Sequence, residues 1–272
     1  MFATEAPPAT EASPAIEARG LVKTYPAPGK TRVRALDGLT LAVPSGTVFA
    51  LVGPNGAGKT TTVKILSTLA TADEGKATVE GIDVAAAPAR ARQVIGVVGQ
   101  RSGADPMATG RENLILQGHL YGMPTKKAKA RADELLDRFR LTEAASRFVR
   151  TYSGGMQRRL DVALGLVHQP RVLFLDEPTT GLDPESRAAM WDEITTLATG
   201  DKVTILLTTH YLDEADKLAG RLAIVDGGRV VAEGEPEQLK RELGVTSLDE
   251  VYLRHAGRRY SDATRLTEGA GR

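Results

Sequence analysis

The sequence contains no cysteine, which rules out a disulfide scaffold and thiolate metal sites and fits a reducing compartment. It also lacks an excess of either charge. Its 35 basic and 34 acidic residues leave +1 at pH 7, so no broad field draws the chain to nucleic acid. Apolar runs are short, and none approaches the ~18 to 20 residues needed to span a bilayer. The first sixteen residues hold no Lys or Arg and no apolar stretch, and so do not read as a signal peptide. These absences predict a chain soluble by itself. Its 272 residues suffice for one good core, or for a main domain with a subdomain.

What the chain does contain is a glycine-rich turn, Gly53-Pro54-Asn55-Gly56-Ala57-Gly58-Lys59-Thr60-Thr61. An apolar, β-branched run (Thr47 to Val52) precedes it and a helix-compatible segment follows, the strand, turn and helix order of a phosphate-binding loop. Glycines let the backbone wrap closely with N–H groups pointing inward, and the helix N-terminus adds partial positive charge. Lys59 can then reach outer phosphates while the Thr60 hydroxyl ligates Mg²⁺. The turn reads as a nucleoside triphosphate site; it does not say what the energy is for.

Around it the chain reads as an α/β protein. Residues 1 to 15 are rich in Ala, Pro, Thr and Glu and are expected to be a disordered tail, with order beginning at Ile16. Ile16 to Thr24 and Ala35 to Val43 read as strands joined through Pro26-Ala27-Pro28-Gly29. Tyr25 stands at the end of the first, where its ring could stack on a base. Gly75 to Val84 reads as a hairpin and Val94 to Val98 as a buried strand ending at Gly99-Gln100. Residues 101 to 166 then have helical apolar spacing and are expected to be an inserted helical subdomain.

That insertion closes on Tyr152-Ser153-Gly154-Gly155-Met156 at the start of a helix. Ser153 suits an N-cap, and the two glycines suit close approach of backbone to a ligand. Next, Val172 to Leu175 form an apolar strand delivering Asp176 and Glu177 together at its C-terminal end, where ligands sit in open α/β sheets. An Asp there can hold the Mg²⁺ that Thr60 holds, and a neighbouring Glu can polarise an attacking water. The strand from Lys202 to Leu207 ends in Thr208-Thr209-His210, expected on the same sheet edge. His119, His168 and His255 occupy no such strand end and receive no role. Asp226-Gly227-Gly228 signals a final hairpin.

With these segments in this order, residues 16 to 243 resemble the ATP-binding subunit of ATP-binding-cassette transporters. The most diagnostic piece is Tyr152 to Leu160, lying between Gln100 and the Asp176-Glu177 strand. The resemblance implies a phosphate-loop NTPase core with a mixed sheet, an N-terminal antiparallel β subdomain and the helical insertion at about 101 to 166, with residues 244 to 272 as a C-terminal extension. It implies that Tyr25 stacks on adenine, that Gly53 to Thr61 bind ATP, and that Thr60 and Asp176 hold Mg²⁺. Gln100 would sense metal and water, Glu177 would be the general base, and His210 would contact the γ-phosphate. Ser153, Gly154, Gly155 and Asp183 would reach ATP bound to the opposite subunit of a homodimer or a paralogous pair.

Gly181-Leu182-Asp183-Pro184, the Tyr152 to Met156 signature and the closing Ser247 to Arg259 look like the daunorubicin and doxorubicin resistance group of drug exporters. Tyr152 and Met156 stand where the broader signature has Leu and Gln. The implied protein is an ATPase on the cytoplasmic face of the cell membrane, powering export through a separate multi-helix permease docked at residues 101 to 107 and the first insertion helix. A soluble cassette ATPase acting on ribosomes or DNA is the alternative, disfavoured by near-neutral charge; a small-molecule kinase would leave Tyr152 to Leu160 and His210 unexplained.

Overall fold

Residues 13–255 are described in the computed structural model. Most of the expected tail therefore lies outside the described residues, as does the chain beyond His255. Ala15 is no part of a tail: it is buried, its N–H donates to the Val43 carbonyl at 2.9 Å and its carbonyl accepts from Glu80 at 2.7 Å.

In chain order the elements are β1 (Ile16–Pro26), β2 (Arg32–Val43), β3 (Val48–Val52), α1 (Lys59–Leu66), β4 (Glu74–Val79), β5 (Ile82–Asp83), α2 (Pro88–Val94) and β6 (Ile95–Val98). Three helices follow before the next strand: α3 (Gly110–Leu120), α4 (Thr125–Arg138) and α5 (Gly154–Gly165). Then come β7 (Val172–Asp176), α6 (Pro184–Thr199), β8 (Thr204–Thr209), α7 (Leu212–Leu218), β9 (Arg221–Asp226), β10 (Arg229–Gly234) and α8 (Pro236–Leu243). The short helices α2, α7 and α8 give too few turns for a periodic apolar signal, which is why sequence reasoning passed over them.

The strands form two sheets. One is antiparallel, in the order β2-β1-β4-β5; the other is mixed, in the order β10-β9-β3-β8-β7-β6, with only β10 antiparallel to its neighbour. The central strands are apolar on both faces, because each face of a largely parallel sheet is covered. Side chains alternate along a strand, and two cores result. Leu173 and Leu175 of β7 face the helical side with Leu135, Leu160 and Ile194. Val172 and Phe174 face the other side, with Val63 and Ile65 of α1 and the antiparallel sheet's Ile16 and Leu36. By the same period Asp176 falls on the α1 face. Beyond α8 the chain stays packed: Leu248 and Val251 are buried in the helical-side core, and Arg254 donates to the Leu243 carbonyl at 2.8 Å.

Candidate active site

The phosphate-loop segment is wedged between two strands. Gly58 has φ 110°, which L side chains rarely adopt, and a Cβ there would lie 2.7 Å from the Ala35 carbonyl of β2. A Cβ at Gly53 would run into the Val225 carbonyl of β9. Both positions demand glycine for reasons that sequence spacing alone does not show. Pro54, Asn55 and Gly56 form the exposed crest, while Ala57 is buried, its N–H donating to Pro54 at 3.2 Å and its carbonyl accepting from Gly228 at 2.9 Å.

α1 starts at Lys59 with no acidic side chain in its first turn, so the partial positive charge of its N-terminus is left for an anion. The buried Lys59 ammonium donates to the carbonyls of Gly53 at 2.6 Å and Pro54 at 3.1 Å. Burial pushes its pKa below the ordinary lysine value, opposed by the charges of Glu177 and Asp176. Thr60 and Thr61 follow, half-buried.

The acid pair arrives from β7. Asp176 is buried, and one carboxylate oxygen accepts from Thr208 at 2.6 Å and from Thr60 at 3.3 Å. Thr208 stands opposite Asp176 in the parallel register of β7 and β8. Glu177 breaks the strand at φ 49°, a left-handed conformation that costs a non-glycine residue about 1–3 kcal/mol. Its N–H is held there by the Thr208 carbonyl and hydroxyl, each at 3.1 Å. The Glu177 carboxylate lies 3.3 Å from His210 Nδ1 and accepts from Thr180 at 3.4 Å. Gln100 is exposed two residues past β6, and β6 runs parallel to β7 with Val98 beside Leu175, so it shares that edge. Tyr25 pairs with Val33 on β2, two positions from the Ala35 that abuts Gly58, with the Lys23 ammonium 5.6 Å from its ring.

The second group of sequence candidates gathers elsewhere on the surface. Ser153 caps α5, accepting from Met156 at 3.3 Å, and Asp183 caps α6, accepting from Ser186 at 2.9 Å. Ser153, Gly154 and Asp183 are exposed. Gly155 is buried, and a Cβ on it would lie 2.6 Å from Ser186 Oγ, which itself donates to Asp183 at 2.7 Å. The second signature glycine thus lets α5 pack closely on α6 beside Ser186, whatever it does for a ligand.

Three residues escaped sequence reasoning: Thr208, Arg158 and Glu214. Glu214 is buried on α7, accepting from Thr179 at 2.8 Å and from Trp191 at 3.1 Å. A polar residue at the end of an otherwise apolar strand was a signal for Thr208; for the other two no local pattern existed.

The donors present fit a magnesium nucleotide. No group of three or more His, Cys, Asp or Glu capable of holding a metal occurs among the described residues. A threonine hydroxyl and a carboxylate in contact are the sparse, hard oxygen set that Mg²⁺ accepts while keeping waters and phosphate oxygens.

Comparison with known proteins identifies the family. The family model described as ABC transporter matches residues 36–180. Daunorubicin resistance ATP-binding protein DrrA3 of Streptomyces coeruleorubidus is 53% identical over 224 residues, covering 82% of this chain and 70% of that protein. Nod factor export ATP-binding protein I of Rhizobium etli is 42% identical over 217 residues, covering 80% of this chain and 68% of that protein. Among solved structures, a dimeric ATP-binding cassette in a post-hydrolysis state, bound to ADP and Pi, superposes with a TM-score of 0.74 at 26% identity, covering 81% of this chain and 98% of that one. The chain belongs to the ABC transporter family, as an ATP-binding subunit with ATPase activity.

Proposed function

We propose that this ATPase powers export of a drug-like or other small hydrophobic substrate through a separate membrane subunit. Residues 16–243 serve as the nucleotide-binding domain. Tyr25 stacks on adenine, Gly53 to Thr61 cradle the phosphates, and Thr60, Asp176 and Gln100 attend Mg²⁺. Glu177 takes the proton of the attacking water and His210 contacts the γ-phosphate. With little covalent chemistry for the protein to perform, catalysis is positioning and electrostatics. The observation that carries this reading is the junction of Glu177 with His210 at 3.3 Å, on the sheet edge where Asp176 meets Thr60.

Two chains, identical or paralogous, close over two nucleotides, Ser153, Gly154, Gly155 and Asp183 of one reaching the ATP of the other. The exposure of Ser153, Gly154 and Asp183 and the dimeric state of the similar cassette support this. No helix among the described residues is long and apolar enough to cross a membrane; in this reading a multi-helix partner carries the substrate path and the chain works at the cytoplasmic face of the membrane. Met107, Leu116 and Leu120 are 62%, 54% and 73% exposed, apolar surface suited to that partner; nucleic acid is not a partner. The names of the similar proteins, resistance to daunorubicin and export of Nod factor, support export.

The test is to replace Met107, Leu116 and Leu120 by Ser in the complex reconstituted with its permease. Transport should fall at least tenfold while ATP hydrolysis by the isolated chain holds. Transport insensitive to all three would refute the docking surface.

A further inference from the structure

We propose that Arg158 is a positioning residue for hydrolysis: one guanidinium holds the main chain of the Asp176-Glu177-Pro178 turn together with that of Gly99, and so sets the Glu177 carboxylate against Gln100. This rests on the reading of Glu177 as general base.

Arg158 is 8% exposed, and all its hydrogen bonds go to backbone carbonyls. Nε donates to Pro178 at 2.7 Å, one terminal nitrogen to Gly99 at 2.6 Å, and the other to Asp176 at 3.0 Å and Glu177 at 3.1 Å. Burial pushes the guanidinium pKa down, opposed by the charges of Asp161, Asp176 and Glu214. Arginine stays charged in proteins, so the carbonyl dipoles must point at it, and a planar fork fixes their relative directions as a flexible ammonium cannot.

The turn needs such a holder. Glu177 sits at φ 49°; its N–H is fixed by Thr208 and its carbonyl by Arg158, so the strained residue is gripped on both sides. Glu177's carboxylate direction follows from that backbone.

The same helix grips the Gln100 segment twice. One turn beyond Arg158, Asp161 accepts from Ser102 Oγ at 2.7 Å and from the Gly103 N–H at 3.1 Å. Gln100 and Arg101 therefore span two anchors on α5, whose N-cap is Ser153 and whose first residues are Gly154 and Gly155.

The test uses the full-length chain with Arg158→Lys and Arg158→Met, measuring kcat, KM and the Kd for a slowly hydrolysed ATP analogue. We expect kcat to fall at least tenfold in Arg158→Lys and further in Arg158→Met, with Kd within threefold of the parent. If Arg158→Met does not fold, Arg158→Lys decides. A folded Arg158→Lys with parental kcat, or one whose Kd weakens by the factor that kcat falls, overturns the proposal. Glu177→Gln measured alongside separates the two readings: full turnover there would remove the base assignment, and the proposal with it, whatever the Arg158 variants do.

Discussion

His210 Nδ1 stands 3.3 Å from Glu177 Oε1, the carboxylate largely buried and the imidazole partly open to solvent. The two come from the ends of neighbouring parallel strands, so their meeting is set by sheet register. Glu177→Gln keeps an acceptor for His210 and Thr180 but cannot take a proton. It should bind ATP, turn over about 10² to 10⁴ times more slowly, and elute as an ATP-trapped dimer in size-exclusion chromatography. An unchanged steady-state rate would refute the base.

In the proposed site Lys59 binds phosphate with an ammonium that is buried and held by the Gly53 and Pro54 carbonyls. Lys59→Met keeps the stem and removes the charge. ATP affinity should drop at least tenfold, about 1.4 kcal/mol or more. Parental affinity in a titration would sink the phosphate role.

Gly155→Ala separates packing from ligand contact. Alanine favours a helix by about 1 kcal/mol over glycine, yet its Cβ would meet Ser186, and overpacking costs about 1–3 kcal/mol. Denaturant unfolding should show net destabilisation, and a smaller effect of the same change in a Ser186→Gly background. A stabilised single variant would show that α5 and α6 have room to spare.

Asp161 makes stability depend on pH. Burial raises its carboxyl above 3.8, only partly offset by Ser102, Gly103 and Arg158. The folded state thus holds this proton more tightly than the unfolded state, and stability falls as pH rises from 3.8 through the folded value. Asp161→Asn retains an acceptor and loses that slope. Its unfolding free energy, relative to the parent, should improve with rising pH over this window and then level off; a difference flat in pH would contradict the assignment.

The sites that were legible in the sequence are those in which neighbouring residues share one job. Gly53 to Thr61 form a contiguous turn, Asp176-Glu177 directly follow four apolar residues, and Ser153 and Asp183 cap helices they precede. Arg158 and Glu214 were not legible. Their partners include Gly99 and Pro178, and Thr179 and Trp191, far apart in sequence, and all four of Arg158's acceptors are main-chain atoms that carry no side-chain signature. Ala15 likewise looked like the end of a polar tail, because one backbone pairing with Val43 leaves no trace in composition.

From residue order alone came the α/β class, the phosphate loop, the acid pair and the strand that delivers His210, since local periodicity and turn chemistry act over a few residues at a time. The tertiary structure alone decided which threonine joins Thr60 on Asp176, what Gly155 packs against, and that α5 binds the Gln100 segment to the base turn. Those outcomes depend on strand register and on the approach of helix to helix, which are settled only when distant segments compete for the same buried space.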